Sequence, residues 1–147
     1  MVKARRYIFR GQSDFMDIVI RNIANEFVVV DPDKKATVEP VDPMLYQRIE
    51  KNYEGFKSHE LISSYEFSCD WNTWEIHPHG DEIVLLLSGE ITLILQLNGG
   101  QKSVTLTELG SYIIVPKGIW HTAKTIVPSK LLFITPGEGT LNKDVPE

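Results

Sequence analysis

From residue 61 onward, short apolar stretches alternate with turn residues along the chain. In the segment 61–67, Leu61, Ser63, Tyr65 and Phe67 share one face of an extended strand, because successive side chains of a strand point to opposite faces. Asn98-Gly99-Gly100 predicts a hairpin turn. Short strands at this spacing predict a β-sandwich or barrel. The further strands are predicted over 73–79, 82–88, 90–97, 102–109, 111–116, 120–127 and 130–135.

The first 60 residues have a different pattern, and we expect them to form an extension that packs on the β domain. The segment 15–27 has apolar residues at helical spacing, although its DIVI stretch is equally compatible with a strand. The apolar run 27–30 predicts a strand. Asp42-Pro43 resembles the start of a helix in which Leu45 and Ile49 share the buried face.

Composition and charge indicate a folded globular chain of one domain. The sequence has 147 residues, of which 42% are hydrophobic and 24% charged, a balance typical of globular proteins. Its formal net charge of −5 opposes binding to phosphate backbones, so we expect no nucleic-acid partner. The longest apolar runs have about five residues, far short of a membrane span, and no signal-peptide pattern is visible. We therefore expect a cytoplasmic protein with no membrane partner.

The segment WEIHPHGDE, residues 74–82, holds two of the four histidines and several carboxylates. In an extended strand His77 and His79 point to the same face, and so does Glu75. Imidazole suits zinc, copper, iron and nickel, whereas carboxylate suits harder ions such as manganese. Two histidines need further ligands, which Glu82 and His121 could supply. A polar turn between two strands is the alternative interpretation of the same residues.

The residues from 74 onward resemble the two motifs of the cupin family. The first cupin motif contains a glycine, five residues, an HxH pair, three or four residues, a glutamate, six residues and a glycine. Here His77 and His79 are followed by Glu82 and, after six residues, by Gly89. The leading glycine is absent, and the interval between His79 and Glu82 is one residue short of the family spacing.

The second cupin motif contains a glycine, five residues, PxG, two residues, a histidine, three residues and an asparagine. This chain has Gly110, then Pro116-Lys117-Gly118, then His121 at the same intervals, with Thr125 at the position of the asparagine. The two motifs occur in the family's order and span about a third of the chain. The resemblance implies an all-β fold, the double-stranded β-helix or jelly-roll cupin barrel.

That resemblance implies a division of the chain and a set of metal ligands. The barrel would cover residues 61–140, after a strand and helix extension over residues 1–60 and before a frayed tail over residues 141–147, all within one domain. Glu75 is the alternative carboxylate, because a one-residue change in a turn can reverse the face that the next strand presents. The divalent metal ion could be Fe, Mn, Ni or Zn. Its implied ligands are His77, His79, Glu82 and His121.

Two functions are compatible with such a barrel. One is a metal-dependent enzyme acting on a small molecule, for example an oxygenase or an isomerase, and the other is a non-catalytic module that binds or senses a small ligand. Trp71 could line the pocket, and Tyr65 and Phe67 could line it or pack in the core. Trp74 and Trp120 have the opposite parity to the adjacent ligands, which predicts outer-face packing. The long apolar runs IVLLL and ITLIL favour a homodimer.

Overall fold

The computed structural model describes residues 18–146, and β-strands are its predominant secondary structure. Each of the eight strands predicted between residues 61 and 135 is present, with ends displaced by a few residues at most. The elements are β1 (Glu26–Val30), β2 (Ala36–Pro40), α1 (Leu45–Asn52), a 3-10 turn (Glu54–Phe56), β3 (Glu60–Phe67), β4 (Thr73–Ile76), β5 (Glu82–Ser88), β6 (Ile91–Leu97), β7 (Gly100–Leu106), β8 (Tyr112–Val115), β9 (His121–Lys124), β10 (Ser129–Thr135) and β11 (Leu141–Asp144).

The strands form two antiparallel sheets with the connectivity of a jelly roll. One sheet has the strand order β2-β1-β3-β10-β5-β8, and the other has the order β11-β4-β9-β6-β7. From β3 to β10 the chain crosses to the opposite sheet at every connection except the β6–β7 hairpin. Eight antiparallel strands divided in this way make a double-sheet jelly roll. The predicted all-β jelly-roll fold is confirmed.

The apolar core lies between the two sheets and fixes which face of each strand points inward. Val84 and Leu86 of β5, Leu93 of β6 and Leu131 of β10 are fully buried. Since side chains alternate along a strand, the inward face of β5 that carries Val84 and Leu86 also carries Glu82. The pattern of the core therefore brings one carboxylate into the interior of the barrel.

The N-terminal extension adds to one sheet and carries a second, smaller core. Strand β1 pairs with both β2 and β3, and Phe27 and Val29 of β1 pack with α1 and Phe56. Helix α1 and the burial of Leu45 and Ile49 on its inner face were predicted correctly. The predicted boundary between the extension and the barrel at residue 60 stays a prediction.

Two expectations for the ends of the chain were wrong over the residues described. Neither the helix nor the alternative DIVI strand forms over residues 18–25, where the Asn22 side chain accepts a hydrogen bond from the Ala24 amide at 2.8 Å and closes a turn; residues 15–17 lie outside the described chain. The tail is not frayed at Leu141–Asp144, which pairs with the open edge of β4 as strand β11.

Within residues 18–146, no helix combines the length and hydrophobicity that crossing a bilayer requires.

The turn from β5 to β6 depends on a glycine held against the β10 strand. Gly89 has a φ of +84°, and a Cβ atom built on it would meet the Pro128 carbonyl oxygen and the Ser129 Oγ at 2.4 Å. The fully buried Ser129 hydroxyl accepts a hydrogen bond from the Glu90 amide at 3.0 Å, which fixes this approach. A side chain at residue 89 would therefore collide with backbone as well as strain the turn.

We expect Gly89→Ala to lower the free energy of unfolding more than Gly110→Ala does. Gly110 is the matched control, because its φ is +87° but no atom lies within 4 Å of the added Cβ. The control should cost about 1–2 kcal/mol from the positive φ alone, and Gly89→Ala should cost at least about 2 kcal/mol more from the collision. Urea unfolding monitored by circular dichroism measures both, and equal losses would contradict the proposed collision.

Candidate metal centre

Four side chains converge inside the barrel in an arrangement that could hold a metal ion. The Nε2 atoms of His77 and His121 each lie 3.1 Å from an oxygen of Glu82. The same two nitrogens lie 3.7 and 3.9 Å from Oε2 of Glu75. One ligand atom from each of the four residues falls within 4.8 Å of all the others.

Strand pairing and two linked turns bring these residues together. Glu75 of β4 and His121 of β9 are direct partners across the sheet, so their side chains emerge side by side. The Gly118 amide donates to the His77 carbonyl at 3.0 Å, and the Lys117 amide donates to Oδ1 of Asp81 at 2.8 Å. The turn after β4 is thereby bound to the turn before β9, and the short interval before Glu82 still delivers that residue to the interior.

His79 is the one implied ligand that the structure does not bring into this cluster. Strand β4 ends at Ile76, and the chain turns through Pro78 and His79. The alternation that would place His77 and His79 on one face applies only while the strand continues. His79 is exposed and lies near Gly139, whereas Glu75, the alternative carboxylate, lies in the cluster.

Hydrogen bonds at the far side of each imidazole aim its Nε2 atom at Glu82. His121 donates from Nδ1 to the Ile119 carbonyl at 3.1 Å. His77 donates from Nδ1 to the Thr140 hydroxyl at 2.9 Å, since that hydroxyl itself donates to the Gly137 carbonyl. Both rings therefore carry a proton on Nδ1, which is the arrangement that metal-binding histidines need for coordination through Nε2.

The two carboxylates have different electrostatic surroundings. Burial alone would raise the pKa of Glu82, but the hydrogen bond of His121, the close approach of His77 and the charges of both imidazoles outweigh it and lower that pKa to about 2. Burial and the neighbouring charge of Glu82 raise the pKa of Glu75. Burial would lower the pKa of His121, but its hydrogen bond to Glu82 and the charge of that carboxylate raise it. The centre thus holds a firmly ionised Glu82 beside a more easily protonated Glu75.

The residues present fit a divalent cation. Metal–ligand bonds of about 2.0–2.2 Å place two ligand atoms on one ion about 3–4 Å apart, and the four distances from imidazole nitrogen to carboxylate oxygen fall in this range. His77 is buried, and its Nε2 has no hydrogen-bond partner although it faces Glu82. A buried nitrogen without a partner is costly in an apolar interior, and coordination would satisfy it.

A large cavity opens beside the centre. It has a volume of about 1210 Å³ and is lined by Glu75, His77 and Glu82 together with Tyr65, Phe67 and Trp71. The other two tryptophans, Trp74 and Trp120, do not line the cavity, and the Lys143 ammonium lies 5.9 and 4.3 Å from their ring centroids. Of the three tryptophans, Trp71 is therefore the one in the wall of the cavity.

Comparisons with known proteins found similar chains among solved structures. No protein-family model matches the chain, and no curated protein matches it. It is similar to the structure of a cupin-2 domain protein from Shewanella frigidimarina NCIMB 400, with 19% identity over 52% of this chain and 70% of that one and a TM-score of 0.45. It is also similar to a cupin superfamily protein from Desulfitobacterium hafniense DCB-2, with 24% identity over 52% of this chain and 65% of that one and a TM-score of 0.44.

An oxalate oxidase is another structure with this likeness, at 17% identity over 56% of this chain and 45% of that chain and a TM-score of 0.48. The jelly-roll fold rests on the strand order and pairing described above, and the chemistry of the centre rests on its residues.

The Thr140 hydroxyl should matter for metal affinity, because it orients His77. We expect Thr140→Val to weaken binding of Zn²⁺ or Co²⁺ by about 10-fold or more, since the imidazole loses the acceptor for its Nδ1 proton. Titration against a chromophoric chelator measures the affinity. Thr92→Val is the matched control, because Thr92 bonds to Thr105 on an exposed part of the β6–β7 hairpin. An unchanged affinity in Thr140→Val would show that the contact does not orient a ligand.

Proposed function

We propose that the protein binds a divalent transition-metal ion and acts on a small molecule in the adjoining cavity. The observation that carries this proposal is the convergence of two Nε2 atoms and two carboxylates within 4.8 Å, at a wall of the cavity. His77, Glu82 and His121 would hold the ion, with Glu75 as the fourth ligand. His79, implied as a ligand by the family motif, would not take part.

Among the predicted metals and reactions, the ligand set favours iron and an oxygenase reaction. Three of the four proposed ligands, His77, His121 and Glu82, match the set of two histidines and one carboxylate that non-haem iron oxygenases use, and Glu75 would add a second carboxylate. An ion held there would polarise an oxygen atom of the bound molecule. Thr135 donates to Oε2 of Glu82 at 2.6 Å and so holds the carboxylate in place. An isomerase with Mn, Ni or Zn is compatible with the same residues.

A non-catalytic binding or sensing module is the second candidate. The observation that favours it is the close pairing of Glu82 with both imidazoles, since a protonated His121 donates to this carboxylate at 3.1 Å. Three side chains that neutralise one another could form the polar end of a ligand pocket without any ion. Metal content separates the two candidates.

Protein expressed and purified without added metal should contain close to one transition-metal ion per chain when measured by elemental analysis. Glu82→Gln preserves the shape of the side chain but removes the negative charge, and it should reduce metal affinity by about 100-fold or more, because a neutral amide is a poor metal ligand. His79→Ala is the control and should retain the metal, since His79 lies outside the cluster. Failure of the metal-free protein to bind Fe²⁺, Mn²⁺, Ni²⁺ or Zn²⁺ on titration would contradict the metal-dependent function and favour the non-catalytic binding module.

We also propose that two copies pair through the outer face of the six-stranded sheet. The register aligns one β-branched residue from each strand in a single row across this face, and none of the six is buried. Leu85 and Leu132, directly opposite each other, make a second apolar row with Tyr112. A flat apolar sheet face of this extent is uncommon on a monomer and is self-complementary under two-fold symmetry. The six residues are Val38, Val28, Ile62, Ile134, Ile83 and Ile114.

Ile114→Lys should disrupt this pairing, because it places a charge at one end of the apolar row that the proposed interface buries. Ile114 is 54% exposed on the edge strand β8 of this sheet. Light scattering after gel filtration should give twice the mass of one chain for the natural sequence and the mass of one chain for the variant. Ile126→Lys is the control, since Ile126 is 98% exposed in the segment between β9 and β10 and outside the sheet. A monomeric natural sequence would contradict the pairing.

A further inference from the structure

The cavity beside the metal centre has a wall of packed aromatic rings. The Phe67 ring lies 5.2 Å from that of Trp71 and 6.2 Å from that of Phe133, measured between centroids. The Trp71 and Phe133 rings are 5.9 Å apart, and Tyr65 lies 6.3 Å from Phe133. Phe133 is buried, but Tyr65, Phe67 and Trp71 are partly exposed, and all four line the cavity. The wall therefore exposes aromatic surface to a ligand bound in the cavity.

This wall reaches the metal centre at two points. Phe133 and Thr135 share the inner face of β10, and Thr135 donates to Glu82. A two-residue step along a strand is about 7 Å, close to the length of a benzene ring with one oxygen substituent. On the other side, the Trp71 ring lies edge-on to that of His121 with their centroids 6.5 Å apart. A ring lying on the wall would thus place a substituent at the centre.

A small buried residue leaves space in front of the wall. Ser63 is the direct partner of Phe133 across the β3–β10 pair, and its side chain is among the smallest on this inner face. The Trp71 indole N–H is buried without a hydrogen-bond partner, like Nε2 of His77. A ligand oxygen is the acceptor that such an indole nitrogen lacks.

The charges around the cavity discriminate against anions. Its lining includes Glu50, Glu66 and Asp70 in addition to Glu75 and Glu82 of the centre. Among the described residues that line it, none is a lysine or arginine. One divalent ion would balance the two carboxylates of the centre, so it would leave no surplus positive charge for an anionic ligand. An aromatic carboxylate or phosphate therefore lacks the basic partner that these groups normally have.

We infer that the ligand of this cavity is an uncharged aromatic molecule that carries a hydroxyl oxygen. Its ring lies against Phe67 and Trp71, and its oxygen points to the metal centre. This inference rests on the proposed function for the position of the oxygen, whereas the ring preference rests on the wall alone. Offset and edge-on contacts between aromatic rings supply selectivity that a saturated ring of the same size does not obtain.

Calorimetric titration of the metal-loaded, full-length protein with phenol, cyclohexanol and benzoate tests the inference. Phenol should bind about threefold to tenfold more tightly than cyclohexanol, because only phenol gains the aromatic contacts. Benzoate, an anion at neutral pH, should bind more weakly than phenol. Equal affinity for phenol and cyclohexanol, or tighter binding of benzoate, would overturn the inference.

Substitutions test whether the aromatic wall causes the preference for phenol over cyclohexanol, and whether that preference depends on the metal. Phe67→Leu and Trp71→Leu should bring the ratio of phenol to cyclohexanol affinity close to one, whereas Trp120→Leu, outside the wall, should leave it unchanged. A ratio that survives both wall variants would overturn the inference. The ratio should persist in Glu82→Gln, because this variant removes a metal ligand and leaves the wall intact. If the natural protein binds no metal but keeps the ratio, the proposed function fails and the ring preference stands.

Discussion

The candidate metal centre depends on one buried carboxylate held between two imidazoles. Glu82 is 2% exposed, and an isolated charge at such a depth would be strongly destabilising. Its partners compensate, since Thr135 and the protonated His121 donate hydrogen bonds to it and Nε2 of His77 approaches to 3.1 Å. His121 and Thr135 lie 39 and 53 residues from Glu82 in the chain. The carboxylate therefore stabilises the fold only when the barrel has closed around it.

The fold could be predicted from sequence because it depends on local patterns. Alternating apolar residues and the turn at Asn98-Gly99-Gly100 identified the strands, and burial on one face of β5 follows the same alternation. The position of His79 could not be predicted in this way. Parity applies within a strand, and β4 ends at Ile76, one residue before His77. Proline at residue 78 was the available signal that the strand would stop, because its ring removes a backbone donor.

The residues that orient the centre could not be predicted from local sequence. Thr140 lies 63 residues from His77 in the chain, and Thr135 lies 53 residues from Glu82. Neither threonine belongs to a motif, and no local sequence pattern predicts the hydrogen-bond partner of either hydroxyl. Thr125, at the asparagine position of the cupin motif, instead bonds with its hydroxyl to the Glu90 and Val127 carbonyls and closes a turn away from the centre. These contacts follow from tertiary packing, which only the folded chain defines.

The six-stranded sheet couples the two proposed surfaces through its register. On β5, Glu82 faces the centre and Ile83 faces outward in the β-branched row, and on β10 the same holds for Thr135 and Ile134. A slip of one residue would exchange these faces, placing isoleucine in the polar centre and a carboxylate on the apolar surface. Both exchanges are unfavourable, so each surface strengthens the preference for the observed pairing. The same alternation that buries the carboxylate thus leaves the opposite face apolar.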